Sequence, residues 1–207
     1  MKKILITPRI NVFEKYNEVH TSLDLQWGTF ANACGLILIP VIYTIPVSHY
    51  LREIEPDGIL LTGGNDLLSI DPQPIHAIRE NYELELINEA KRWNIPMIGV
   101  CKGAQLLAYH FGSSVEKIEG HVIPEHEVKS TTQISDMWSK IQKVNSYHNF
   151  GIKNLLAPLQ SKLQANDSSS EAFQHESLNI TGLLWHPERY HEPRNEDITI
   201  FKSIYNS

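Results

Sequence analysis

Apolar and polar positions along the chain follow two recurring patterns. Short unbroken apolar runs, "KKILIT", "LILIPVIY", "DGILLTGG" and "IPMIGV", predict strands buried on both faces. Between them, Leu23 to Cys34, closed by Gly35, reads as a helix. In "IHAIRENYELELINEAKRW", Ile75, Ile78, Tyr82, Leu86, Ala90 and Trp93 recur every three or four residues, which predicts one apolar face of a long helix. Another helix is expected from Ala104 to Phe111, stopped at Gly112. This rhythm of strand, helix, strand predicts an α/β fold: an open, mostly parallel sheet with helices on both faces and the ligand crevice at the carboxyl ends of the strands. After Gly112 the segments are short and mixed, and read as a small antiparallel or irregular portion up to about Glu176. "ITGLLWHPERY" predicts a strand followed by a loop, and Asp197 to Tyr205 a closing helix. "NDSSSE" is a surface turn rather than a linker, so residues 1–207 are expected to form a single domain.

Composition narrows the function classes. The 207 residues are 42% apolar and 20% charged, with a net charge of −6. No cluster of Lys and Arg offsets that charge, so a nucleic-acid partner bound through its phosphates is not expected. Pro8 and Arg9 interrupt the first apolar run, and no other run approaches the roughly 18 residues of a membrane span. Neither a membrane partner nor an export signal is expected. The two Cys lie far apart without a CxxC pair, which fits a reduced, cytoplasmic setting.

The candidate chemistry begins in "IGVCKGAQLLAYHFG". Cys101 stands two residues from Gly99 and two from Gly103, the spacing of a strand-to-helix elbow that presents a nucleophile. A sulfur at the start of a helix, beside Lys102, is favoured as thiolate. The competing reading is a buried structural Cys. A thiolate nucleophile needs an imidazole and a group that orients it. His186 and Glu188 in "WHPE", past another predicted strand, offer both, although such a pair also occurs on ordinary surfaces. "TGGND" closes a third strand and is either a tight turn or a source of backbone N–H groups for a developing oxyanion. The amide of Gly64 is one candidate donor and that of Lys102 the other. His121 and His126 in "GHVIPEHE" raise the question of a metal, but lack Cys partners or helical i, i+4 placement. No metal or other cofactor is expected. Cys34 reads as core packing.

"LTGGND", "RENYELELINEA", "IPMIGVCKGAQLLA", "VNSYHNF" and "LLWHPER", in that order from Leu61 to Arg189, together resemble the class I glutamine amidotransferase family. Within it, the gamma-glutamyl-gamma-aminobutyrate hydrolase-like branch is the most similar. The resemblance implies a flavodoxin-like fold and a Cys-His-Glu group that cleaves gamma-glutamyl amides through a thioester. Cys101 is the implied nucleophile, His186 the base and then acid, and Glu188 the residue that orients it. Gln105, Ser146, Tyr147 and His148 are the implied substrate-binding residues. Arg79 and Glu83 read as an exposed helical pair outside the site. Lys102 and Phe150 depart from the common motifs, and the chain is short for its branch. That compactness resembles relatives that hydrolyse gamma-glutamyl-CDP-amidate to glutamate and cytidine diphosphoramidate in capsular polysaccharide biosynthesis, and this is the expected substrate. The other options are a gamma-glutamyl-gamma-aminobutyrate-type hydrolase and a glutaminase subunit feeding ammonia to a synthetase partner; the intact Cys-His-Glu set speaks against a third, a catalytically silent binding module.

Overall fold

The computed structural model describes residues 1–131 and 137–206. In chain order the elements are β1 (Lys2–Thr7), β2 (Arg9–Phe13), β3 (Glu18–Ser22), α1 (Gln26–Cys34), β4 (Leu36–Pro40), α2 (Val47–Ile54), β5 (Gly58–Leu61) and α3 (Pro74–Trp93). Next come β6 (Met97–Val100), α4 (Lys102–His110), β7 (Glu116–Lys117), β8 (Val122–Ser130), β9 (Lys143–Tyr147) and β10 (Phe150–Gly151). The chain closes with β11 (Leu159–Ala165), β12 (Ser170–His175), β13 (Ile180–Leu183) and α5 (Asn195–Tyr205).

A nine-stranded sheet runs in the order β4-β1-β5-β6-β13-β12-β11-β8-β9. The strands from β4 to β13 are parallel, and numbered among themselves they run 2-1-3-4-5, the flavodoxin-like order. Their apolar runs are explained by burial on both faces: Ile4, Leu5, Ile6, Ile59 and Leu61 have no exposed surface. Helices α1 and α5 cover one face with Trp27, Phe30, Phe201 and Tyr205. The other face packs on α2, α3 and α4 through Val47, Tyr82, Leu86, Ile87, Leu106 and Leu107. The antiparallel strands after Gly112 continue this sheet beyond β13, and β7 with β10 forms a small separate pair. Among the described residues, no helix is long and apolar enough to cross a membrane.

Three expectations need correction. The apolar spacing of α3 overstates its buried face: Ile78 is 49% and Trp93 67% exposed, whereas Arg79 and Glu83 are fully buried. The charges are tolerated because every one of them finds a partner inside, as described below. Residues 9–22 also form a hairpin, β2 with β3, where the sequence pattern gave no strands, and α1 starts at Gln26 rather than Leu23. Val12, Phe13 and Val19 of the hairpin are exposed, so no buried face imposes a two-residue alternation. Its base is tied to the loop after β5, since Asn65 accepts from the Ile10 N–H at 2.9 Å and donates to the Ile10 carbonyl at 3.0 Å.

Candidate active site

Cys101 links β6 to α4 with φ 51° and ψ −108°, a backbone region that a residue with a Cβ occupies only under constraint. The glycines around it show the constraint. A Cβ on Gly99 would come within 2.6 Å of the Gly103 carbonyl, and one on Gly103 within 2.2 Å of the Leu61 carbonyl oxygen. Only bare backbone allows α4 to pack this closely on β5 and β6. The sulfur is thereby fixed at the first turn of α4, where the unpaired N–H groups carry partial positive charge.

His186 follows β13, and its backbone is clamped by Asn145 of β9. The Asn145 amide donates to the His186 carbonyl at 2.8 Å, and the His186 N–H donates to Asn145 Oδ1 at 2.8 Å. Nδ1 donates to Glu188 Oε1 at 2.7 Å, leaving Nε2 turned toward the elbow. A Cβ built on Gly63 would lie 3.3 Å from Cys101 Cβ and 3.3 Å from His186 Nε2. Three distant segments therefore close on one point. Burial works against an imidazolium here, but the Cys101 sulfur and the Glu188 carboxylate outweigh it and raise His186 to about 9.

The diglycine bend after β5 is held from beneath by Arg79. Its guanidinium donates to the carbonyls of Thr62 at 2.6 Å and Gly63 at 3.1 Å, and also to that of Gly64. With these carbonyls drawn inward, the bend's amides are free to face the crevice. Among the described residues no acceptor takes the Gly64 or Lys102 amide. Glu83 ties the two donors together: one oxygen accepts from Arg79 at 2.8 Å and from Thr7 at 2.7 Å, and the other accepts from the Lys102 ammonium. Burial opposes ionisation of Glu83, but the two cations hold its carboxyl below the usual range. Burial also pulls the Lys102 ammonium down. The departure from the common motifs at Lys102 thus has a structural counterpart in Glu83.

A cavity of about 240 Å³ opens beside Cys101, with Gln105, Tyr147, His148 and His186 among its lining. Gln105 donates to the Phe150 carbonyl at 2.8 Å, and the Tyr147 ring stands edge-on to His186, with centroids 5.9 Å apart. Ser146 is left with its backbone for any contact with substrate. Alternation along β9 turns its hydroxyl away from the cavity, to donate to the His121 carbonyl at 2.5 Å. Sequence reasoning missed Asn145, Arg79 and Glu83, together with Arg9 and Arg189, which also line the cavity. Only the Asn of "VNSYH" carried a local signal. A larger hollow of about 620 Å³ lies far away, between α2 and the end of α3. Its lining, including Leu51, Pro56 and Trp93, holds neither a Cys nor a His.

Residues 29–188 match the Peptidase C26 family. The chain belongs to the Peptidase C26 family. Among similar proteins, Gamma-glutamyl-CDP-amidate hydrolase of Campylobacter jejuni is 35% identical over 188 residues, covering 89% of this chain and 88% of that protein. A glutamine-hydrolysing GMP synthase subunit of Thermococcus kodakarensis is 30% identical, covering 75% of this chain and 78% of that protein. This Peptidase C26 fold also resembles a glutamine amidotransferase from Thermotoga maritima, with a TM-score of 0.64 at 17% identity, over 99% of this chain and 94% of that one. The glutaminase domain of Trypanosoma brucei CTPS, solved with bound acivicin, superposes with a TM-score of 0.69 at 15% identity, over 99% and 92%. The class I glutamine amidotransferase resemblance and the mostly parallel sheet read from the sequence both hold.

Proposed function

We propose that this protein is a cysteine-dependent hydrolase of gamma-glutamyl amides. The observation that carries the reading is the convergence of Cys101 and His186 Nε2 on Gly63, beside two unpaired amides. The Cys101 thiolate attacks the gamma-carbonyl carbon, and the carbonyl electrons move to oxygen, which the Gly64 and Lys102 amides receive. His186, oriented by Glu188, gives its Nε2 proton to the leaving nitrogen as the C–N bond breaks. The resulting thioester is attacked by water whose proton passes to His186. The C–S bond then breaks, glutamate leaves and the thiolate returns. Every proton is carried by His186, so the cycle calls for no cofactor.

The substrate we assign is gamma-glutamyl-CDP-amidate, yielding glutamate and cytidine diphosphoramidate for capsular polysaccharide biosynthesis in the cytoplasm. The name of the Campylobacter jejuni relative supports it, and so does the cavity wall. Arg9 and Arg189 line it, two guanidiniums suited to a diphosphate leaving group. Gln105, Tyr147 and the backbone of Ser146 and His148 hold the glutamyl end. A second reading, a glutaminase that delivers ammonia to a synthetase partner, is favoured by the Thermococcus kodakarensis relative.

Glutamate release by the purified protein from gamma-glutamyl-CDP-amidate, gamma-glutamyl-aminobutyrate and glutamine tests the assignment. The first is expected to give the highest kcat/KM. Turnover of glutamine alone, and only with a synthetase added, would support the second reading instead. Cys101→Ala is expected to abolish turnover, and residual activity at the wild-type level would reject the nucleophile.

A further inference from the structure

Behind the wall of the Cys101 cavity lies a second cluster that the proposed mechanism does not use. Glu171 of β12 is fully buried, and among the described residues neither of its carboxylate oxygens has a hydrogen-bond partner. Three imidazoles face it from other segments. His121 Nδ1 stands 3.1 Å from Oε1, His126 Nε2 3.7 Å from Oε1, and His148 Nε2 3.7 Å from Oε2. All three ring nitrogens are buried and also lack hydrogen-bond partners among the described residues.

The far side of two rings decides where their protons are. His148 Nδ1 is 3.0 Å from the Phe150 carbonyl, which can only accept. His121 Nε2 is 3.3 Å from Asp167 Oδ2, also an acceptor. The Phe150 hydrogen bond puts the His148 proton on its outer nitrogen, and the nearby Asp167 carboxylate favours the same tautomer at His121, so that each ring in this neutral form directs a lone pair at the Glu171 carboxylate. Lone pairs facing one another in a buried pocket repel, so something positive must sit between them. Extra protons would serve, but an N–H···O bond requires about 2.7–3.2 Å and good alignment. Two of the three contacts are 3.7 Å, and the third, though short, is misaligned. Donor atoms sharing a tetrahedral ion at about 2.0–2.1 Å lie about 3.4 Å apart, with the ring centres of two such imidazoles about 5 Å apart. The observed ring centroids are 4.7 Å apart for His121 and His126, and 5.0 Å for His121 and His148.

We infer that His121, His148 and Glu171, completed by His126, bind one divalent transition-metal ion of the zinc class. His121, His148 and Glu171 present donor atoms within 4.8 Å of one another. Three nitrogens and one carboxylate oxygen form a closed set with no open position, the mark of a structural site. The Asp167 carboxylate beside His121 and the Phe150 carbonyl bonded to His148 are the kind of outer support that fixes the ring orientation of metal-binding imidazoles. The ion would pin β8, β9 and β12 together, and with them the turn from Tyr147 to Phe150 that walls the cavity. The sequence argued against a metal because two of the ligands arrive from segments distant from "GHVIPEHE".

The test uses tag-free, full-length Cys101→Ala protein, so that neither a His tag nor the reactive thiol binds metal. After exhaustive chelation, Zn²⁺ is added back, unbound metal is removed, and the retained metal is measured by plasma mass spectrometry. One equivalent per chain, a raised Tm with Zn²⁺, and visible d–d bands of tetrahedral type with Co²⁺ are expected. Asp167→Asn changes a partly exposed side chain and should leave the far-UV spectrum intact while weakening Zn²⁺ binding about 10–100-fold. Glu171→Gln should remove the equivalent altogether. Retention of less than a tenth of an equivalent with no Tm shift, or a full equivalent unchanged in both variants, would overturn the site. Nuclear magnetic resonance signals of imidazolium at His121 and His148 in the metal-treated protein would do so too, by identifying protons as the missing charge.

Discussion

At the scale of single residues, the chemistry of Cys101 and Cys34 is set by position. Burial pushes the Cys34 thiol up to about 12, which keeps it inert. Cys101 sits at a helix start, with an imidazole at hand whose pKa it helps to raise to about 9. If the His186 imidazolium protonates the leaving nitrogen, kcat/KM should fall as pH rises through about 9. A fall centred near the ordinary His value of about 6.5 would contradict the role. The same shift has a stability consequence. Because the folded-state value is raised, the stabilisation is fully present below the unfolded value of about 6.5 and is lost as pH rises through about 9. Urea titrations across this window should show a loss of stability in the wild type that is reduced in Cys101→Ala. Glu188→Gln preserves shape but removes the charge that fixes the Nδ1 proton, and a drop in kcat on the order of 10⁴ is expected by analogy with the Asp of serine-protease triads.

At the scale of elements, α3 is the part that joins the diglycine bend to the elbow. Arg79 holds the bend and Lys102 belongs to the elbow, and both pair with Glu83. Arg79→Ala leaves Glu83 with one cation and frees three backbone carbonyls, so a loss of ~3–5 kcal/mol is expected. Denaturant unfolding measures that loss, and a change below about 1 kcal/mol would show the pair to be dispensable. Gly103→Ala should be severe as well, since its Cβ meets backbone at 2.2 Å, which no rotamer can relieve. What the sequence made legible follows from this geometry. The parallel strands, the elbow and "WHPE" are local patterns, each complete within a few residues. Arg79 and Glu83 look like a surface pair because their partners at Thr62, Gly64 and Lys102 come from other elements. The β2–β3 hairpin lacked a buried face to mark it, and the direction of the Ser146 hydroxyl depends on the pleat of β9, which the sequence does not fix.

At the scale of the whole molecule, charge sets a condition on the substrate. A chain with net charge −6 repels a polyanion at long range, so a diphosphate-bearing amide needs a local field of opposite sign. Arg9 enters from the hairpin and Arg189 from the loop after β13, and both line the cavity. The Arg189 guanidinium also stacks on the Tyr147 ring at 4.7 Å, which fixes its plane. If these two cations receive the leaving group, their loss should fall on anionic substrates. In Arg9→Gln/Arg189→Gln, KM for gamma-glutamyl-CDP-amidate should rise by at least about 10-fold, roughly 1.4 kcal/mol, whereas glutamine hydrolysis should lose far less. The wild-type KM for the CDP-amidate should also rise with salt, and more steeply than in the double variant, because screening acts on the attraction the variant lacks. Equal losses for glutamine and the CDP-amidate would assign the two arginines to the fold of the crevice, and would return the choice of substrate to gamma-glutamyl amides with neutral leaving groups.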